Sequence, residues 1–224
     1  MNTSVVLVPG APVLVPELSG AAGAEVAGDV AAAIGLLADA ARGAGAVEVW
    51  GHDALARGHR DVRASLRRWG ADVTVGRPEA PVAPDAAVSD PALLAWWFLD
   101  RAGVTVPRSF VPVRPGGSPA APTADLVVVV ADGPASLTPR APVPEDPRGV
   151  ELEADLTAWI RGGGALPDSG AEVAGAVGWW SRPAWIALAG LVADRPATAS
   201  VAWAPFGVGY HCARWDLPST GGAS

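Results

Sequence analysis

Apolar and polar positions fall into alternating blocks along this chain. Val5, Val6, Leu7 and Val8 form an unbroken apolar run that stops at Pro9-Gly10-Ala11-Pro12. Such a run fits a strand covered on both faces. Residues 21–42 are alanine-rich, with Val26, Val30, Ile34, Leu37 and Ala41 at helical spacing and Gly43 and Gly45 as stop signals. Val47-Glu48-Val49-Trp50 predicts a second strand that ends at Gly51-His52-Asp53. A short helix is expected over 61–69 and a third strand over 72–75. Asp90 is placed to cap a helix that starts at Pro91 and runs through Trp96, Trp97 and Leu99 to Gly103. A strand follows over 109–113. Residues 125–131 give the clearest central strand, continuous and apolar. Helices over 150–160, 171–177 and 183–191 and strands over 198–203 and 209–215 complete the pattern.

Strands alternating with helices predict an α/β fold: one domain over 1–217, with a mostly parallel central sheet flanked by helices on both faces. The Pro-rich stretches 77–84 and 112–122 read as surface connections within that domain. The end, 218–224, is expected to be a disordered tail.

Composition narrows the function classes. The chain has 224 residues, no lysine and a net charge of −7. No basic stripe marks a nucleic-acid footprint. No apolar run is expected to reach the ~20 residues of a membrane span. No basic segment precedes the first apolar run, so a signal peptide is not expected. The single cysteine, Cys212, cannot form an internal disulfide, which fits a reducing, cytoplasmic setting. The expected partners are a small molecule or a protein, with a homo-oligomer left open. The ten tryptophans are expected mainly in the core, the alternative being an aromatic-lined cavity.

In open α/β sheets ligands bind beyond the carboxyl ends of the strands. That rule selects three loops: Pro9 to Pro12, Gly51 to Asp53, and Asp132 to Ser136. The crevice candidates are therefore Gly10, His52, Asp53 and Asp132. His52 stands out, since it follows a strand end and a glycine. His59 is expected at the surface of an Arg-rich stretch. His211 and Cys212 are adjacent in a strand and so point to opposite faces. No spacing matches a structural zinc site, a nucleophile elbow or a dinucleotide fingerprint.

Several stretches carry a family resemblance. They are Val8-Pro9-Gly10-Ala11-Pro12-Val13-Leu14-Val15-Pro16-Glu17-Leu18, Val130-Ala131-Asp132-Gly133-Pro134-Ala135, Arg182-Pro183-Ala184-Trp185 with Leu188-Ala189-Gly190, and Ala204-Pro205-Phe206-Gly207-Val208-Gly209-Tyr210 with Ala213-Arg214-Trp215. Together they resemble the class III extradiol ring-cleavage dioxygenases, the LigB-like superfamily, and within it a branch from high-GC bacteria. The resemblance implies a non-haem Fe(II), or zinc, held by two histidines and a carboxylate or third histidine, with an open position for a catechol and dioxygen. It places Gly10 where active members have their first histidine, and His52 at the second. The turn from Asp132 to Ser136 stands where a further histidine would act as acid and base, and Glu151 or Glu172 falls near the late ligand. His52 alone matches, which is short of a facial set of three. The expected reading is a protein that has lost most metal ligands, needs no cofactor, and binds a small molecule or partner. The alternative is a divergent dioxygenase using His52 with Asp53 or Asp132 and Fe(II) or Zn.

Overall fold

A computed structural model describes residues 3–117 and 119–218. The strands are β1 (Thr3–Val8), β2 (Val47–His52), β3 (Ala64–Ser65), β4 (Thr74–Val75), β5 (Arg108–Val113), β6 (Leu126–Val130), β7 (Ala199–Trp203) and β8 (Tyr210–Leu217). Six of them make one sheet in the order β5-β2-β6-β1-β8-β7, and β3 and β4 form a separate ribbon. β5, β2, β6 and β1 run parallel, while β8 is antiparallel to β1 and β7 to β8. The domain is α/β with a mostly parallel central sheet.

The helices are α1 (Pro16–Ser19), α2 (Ala21–Ala40), α3 (Asp90–Arg101), α4 (Pro147–Gly162), α5 (Gly170–Ala176) and α6 (Arg182–Val192). Alternation along each strand sends side chains to two cores. Val6, Val8, Val49, Val128 and Cys212 pack with α2 and α3. Val5, Leu7, Val127, Val129 and Trp215 pack with α4, α5 and α6. All five residues of β6 are buried, as its unbroken valine run requires. Each such side chain contributes about 1.5–3 kcal/mol relative to exposure. His211 and Cys212 do face opposite layers. Cys212 lies against Ala33 of α2, where burial pushes its thiol up to about 12. The ring of His211 meets Trp185 of α6 edge-on at 5.4 Å.

Several expectations are corrected. Residues 61–69 form no α-helix; they hold β3 and one 3₁₀ turn at Arg67–Trp69. The amides of Arg63, Ser65 and Leu66 donate instead to Pro81, the Asp85 carboxylate and Val73, so no i−4 ladder can form. The strand expected over 72–75 shrinks to β4 and stays outside the main sheet. Asp90 sits in the first turn of α3, not at its cap, and its carboxylate pairs with Arg68. Helix α2 has 20 residues and a mean hydropathy of 1.5 over an 18-residue window, long and apolar enough to cross a membrane by length and composition. Its Val26, Val30, Ala33 and Leu37 are buried in the first core. Most tryptophans are core residues; Trp180 is the exception, 62% exposed. The tail expected over 218–224 falls, beyond Pro218, outside the described residues.

Candidate functional site

β1 and β6 are parallel neighbours whose chains leave the sheet on opposite faces. After β1 the chain enters α2 on one face, and after β6 it enters α4 on the other. Loops that diverge in this way open a crevice at the strand ends. A cleft of about 300 Å³ lies there. Its walls include Pro12 and Val13 after β1, Asp132 after β6, Trp180 and Ser181 before α6, and Tyr210 at the head of β8.

Asp132 is held by three hydrogen bonds, one to its carboxylate and two to its own backbone. Its Oδ1 accepts the Gly10 N–H at 2.8 Å. Its own N–H donates to Ser181 Oγ at 3.2 Å, and its carbonyl accepts the Trp185 indole N–H at 2.9 Å. Burial pushes the carboxyl up to about 6, against the opposing pull of the Gly10 N–H and of His211. Tyr210 is likewise raised, by burial first and then by the negative charge of Asp132.

Behind Asp132 sits a pair that the sequence reading did not assemble. His211 is fully buried, and Glu153 Oε1 lies 3.0 Å from its Nε2. The approach is off the line of the ring N–H, so neither ring nitrogen has an aligned hydrogen bond among the described residues. Glu153 Oε2 is also buried and without a partner there. Its carboxylate fits because Gly209 and Gly133 lack side chains. A Cβ on Gly209 would stand 1.9 Å from Oε2, and one on Gly133 2.5 Å from it. The two glycines are themselves joined by a 2.7 Å bond from Gly133 N–H to the Gly209 carbonyl. Glu153 was detectable in principle. Gly149, Leu152, Leu156 and Ile160 form the buried stripe of α4, and position 153 lies on that stripe. Glu151 is exposed and Glu172 lies in the first turn of α5, so neither takes this place.

Gly10 and Asp132 thus meet, but His52 and Asp53 do not join them in the lining of the cleft. β2 stands on the far side of β6 from β1, and its end turns toward β5. The Nδ1–H of His52 donates to the Val113 carbonyl at 3.0 Å. Asp53 is committed to Arg57, whose side chain bonds both of its oxygens and lowers its pKa. His59 is not a free surface residue. Its Nε2 accepts the Ser89 N–H at 3.1 Å, its ring stacks on Phe110, and its backbone bridges the edge of β5. Burial is the main reason its pKa is lowered.

The residues present do not fit a facial metal triad. Among the described residues no three His, Cys, Asp or Glu side chains stand together at metal-holding spacing. At Gly10 a Cβ would come within 2.8 Å of Val130 Cγ1, so any side chain there would require that valine to shift. No family model and no curated protein matches the sequence.

Proposed function

We propose that this chain is a dioxygenase-like α/β protein that binds a small molecule in the cleft between β1 and β6 and does not cleave aromatic rings. The motif resemblance set out above supports the descent. The observation that carries the binding reading is the cleft itself. Its walls are mostly apolar, with one half-buried carboxylate, Asp132, held in place by the Gly10 N–H. Apolar walls with a few fixed polar groups are the usual make-up of a ligand site, and the volume is at the small end of the roughly 300–1,000 Å³ range.

The test is a screen of small aromatic and aliphatic fragments, followed by the NMR signal of the Trp180 indole N–H. Binding should shift that signal in the native chain and not in Val13→Trp, where the added ring fills the cleft. Silence from every fragment class, or equal binding by the filled variant, would sink the reading.

A further inference from the structure

We propose that the ligand of this cleft is a small organic amine with an apolar body, its ammonium paired with Asp132 and its body lying against Trp180 and Tyr210. The inference rests on the binding reading above and adds the chemical class. Among the described residues, Asp132 is the one charged side chain in the lining, and no cation stands there to neutralise it. Its Oδ1 is used by Gly10, whereas Oδ2 accepts no hydrogen bond from a described residue and is not sealed from solvent. A carboxylate in a largely apolar recess, with no Arg in the lining and one oxygen without a described protein donor, is only partly compensated by the protein's own groups. An ammonium supplies the charge and the donors together.

The groups around Asp132 keep that charge available. From β8, His211 acts on it as a positive influence and Tyr210 as a neutral phenol. From α4, Glu153 lies 3.0 Å from His211 and offsets any charge on the ring, so the cluster as a whole does not repel a cation. From the α6 side come only uncharged contacts, Ser181 and Trp185, because Arg182 is paired with Asp168 at 2.6 Å. The β1 loop presents the Gly10 N–H and uncharged side chains only. The exposed indole of Trp180 offers an electron-rich face for the cation or for the aromatic body. A net charge of −7 further favours approach of a cation over an anion.

The experiment compares three probes that share one apolar body: phenethylamine, phenethyl alcohol and hydrocinnamate. Titration calorimetry at about pH 7.5 should show the amine binding at least about tenfold tighter than the alcohol, and the carboxylate weakest. Asp132→Asn should erase the preference, bringing the affinities of the amine and the alcohol within about twofold of each other. Its amide oxygen can still accept the Gly10 N–H, and a thermal melt checks that it folds. The native protein carries a second arm that needs no variant. As pH falls to about 5, Asp132 gains its proton and the ratio of amine to alcohol affinity should drop. Equal or tighter binding of the alcohol or hydrocinnamate, or an amine preference that survives both arms, overturns the amine assignment and leaves the binding reading standing. If no probe of any charge binds at the cleft, the amine assignment fails, and the fragment screen above decides the binding reading.

Discussion

Asp132 is expected to weaken the fold at neutral pH, as a residue placed for binding rather than for stability does. Its pKa rises from 3.8 to about 6 on folding, with burial as the main cause. Between those values the folded chain binds a proton more tightly than the unfolded chain, so this group's contribution to stability falls as pH rises through that window. Two units correspond to about 3 kcal/mol, and access of solvent through the cleft reduces this to about 1–2 kcal/mol. Asp132→Asn should therefore be more stable than the native chain by that amount at about pH 7.5. The difference should close below about pH 3, where Asp132 is protonated in both states. Urea unfolding at the two pH values reads it, and a gap independent of pH would contradict the account. Gly209 gives a second residue-scale prediction. In Gly209→Ala the new Cβ would displace the Glu153 carboxylate, which can swing out without moving backbone. The loss is the contact with His211, about 1–3 kcal/mol for a buried polar group left alone. Adding Glu153→Ala should cost little more, because both changes remove the same carboxylate, and full additivity in the double mutant would refute this. At this scale the sequence disclosed Asp132, since a carboxylate at a strand end is visible in one dimension. It did not disclose the pairing of Glu153 with His211, because their partnership spans α4 and β8 and depends on the space left by two glycines. The clue that was available, an acid on the apolar stripe of α4, has meaning only once the stripe is aligned on its buried face.

Among the elements, β6 is the one whose role follows most directly from its residues. Its run of Leu126 and four valines is hydrogen-bonded on both sides, to β1 and β2, and covered on both faces. Val128→Asp would bury an unpaired charge among α2 and α3, at a cost of several kcal/mol, comparable to much of the stability of a domain. The expected result is loss of soluble protein, or of a cooperative melt in whatever is recovered. A soluble variant that unfolds cooperatively would count against the central position of the strand. The long periodic segments were legible for the same reason as β6: α2, α3, α4 and α6 each bury enough apolar surface for the pattern to fix the element. The region 61–75 was not legible, because its backbone is held by side chains and by distant loop carbonyls. Ser65 bonds to Asp72, Arg67 pairs with Asp72, and Arg63 and Leu66 donate to Pro81 and Val73. Arginines at helical spacing carry no core face, so nothing opposed these alternatives. The mostly parallel sheet was foreseeable from the alternation of elements, but the reversal of β8 was not, since an antiparallel closing strand shows the same apolar run.

At the scale of the whole molecule, the strand order sets where the candidate ligand loops stand. With β6 between β1 and β2, the loops carrying Gly10 and His52 lie on either side of the loop carrying Asp132. A metal held across them would need a side chain from each. The β1 loop offers a glycine whose Cβ position is already taken up against Val130, and the β2 loop offers His52 with Nδ1 engaged by Val113 and Asp53 engaged by Arg57. Non-haem iron chemistry of the extradiol type needs a facial set of three protein groups with open positions, and groups farther out can tune such ligands but not replace them. The purified chain, loaded anaerobically with Fe(II) and then given catechol and oxygen, should therefore form no ring-cleavage product by absorbance. His52→Ala should fold, losing about 1 kcal/mol with its bond to Val113. Its affinity for a ligand of the cleft should be unchanged, because His52 is not in the lining. Cleavage that appears with iron and disappears in His52→Ala would mean that the β2 loop swings toward Asp132 when metal binds. In that event the carboxylates around the cleft would be ligands, and the site a metal centre rather than a pocket for an amine.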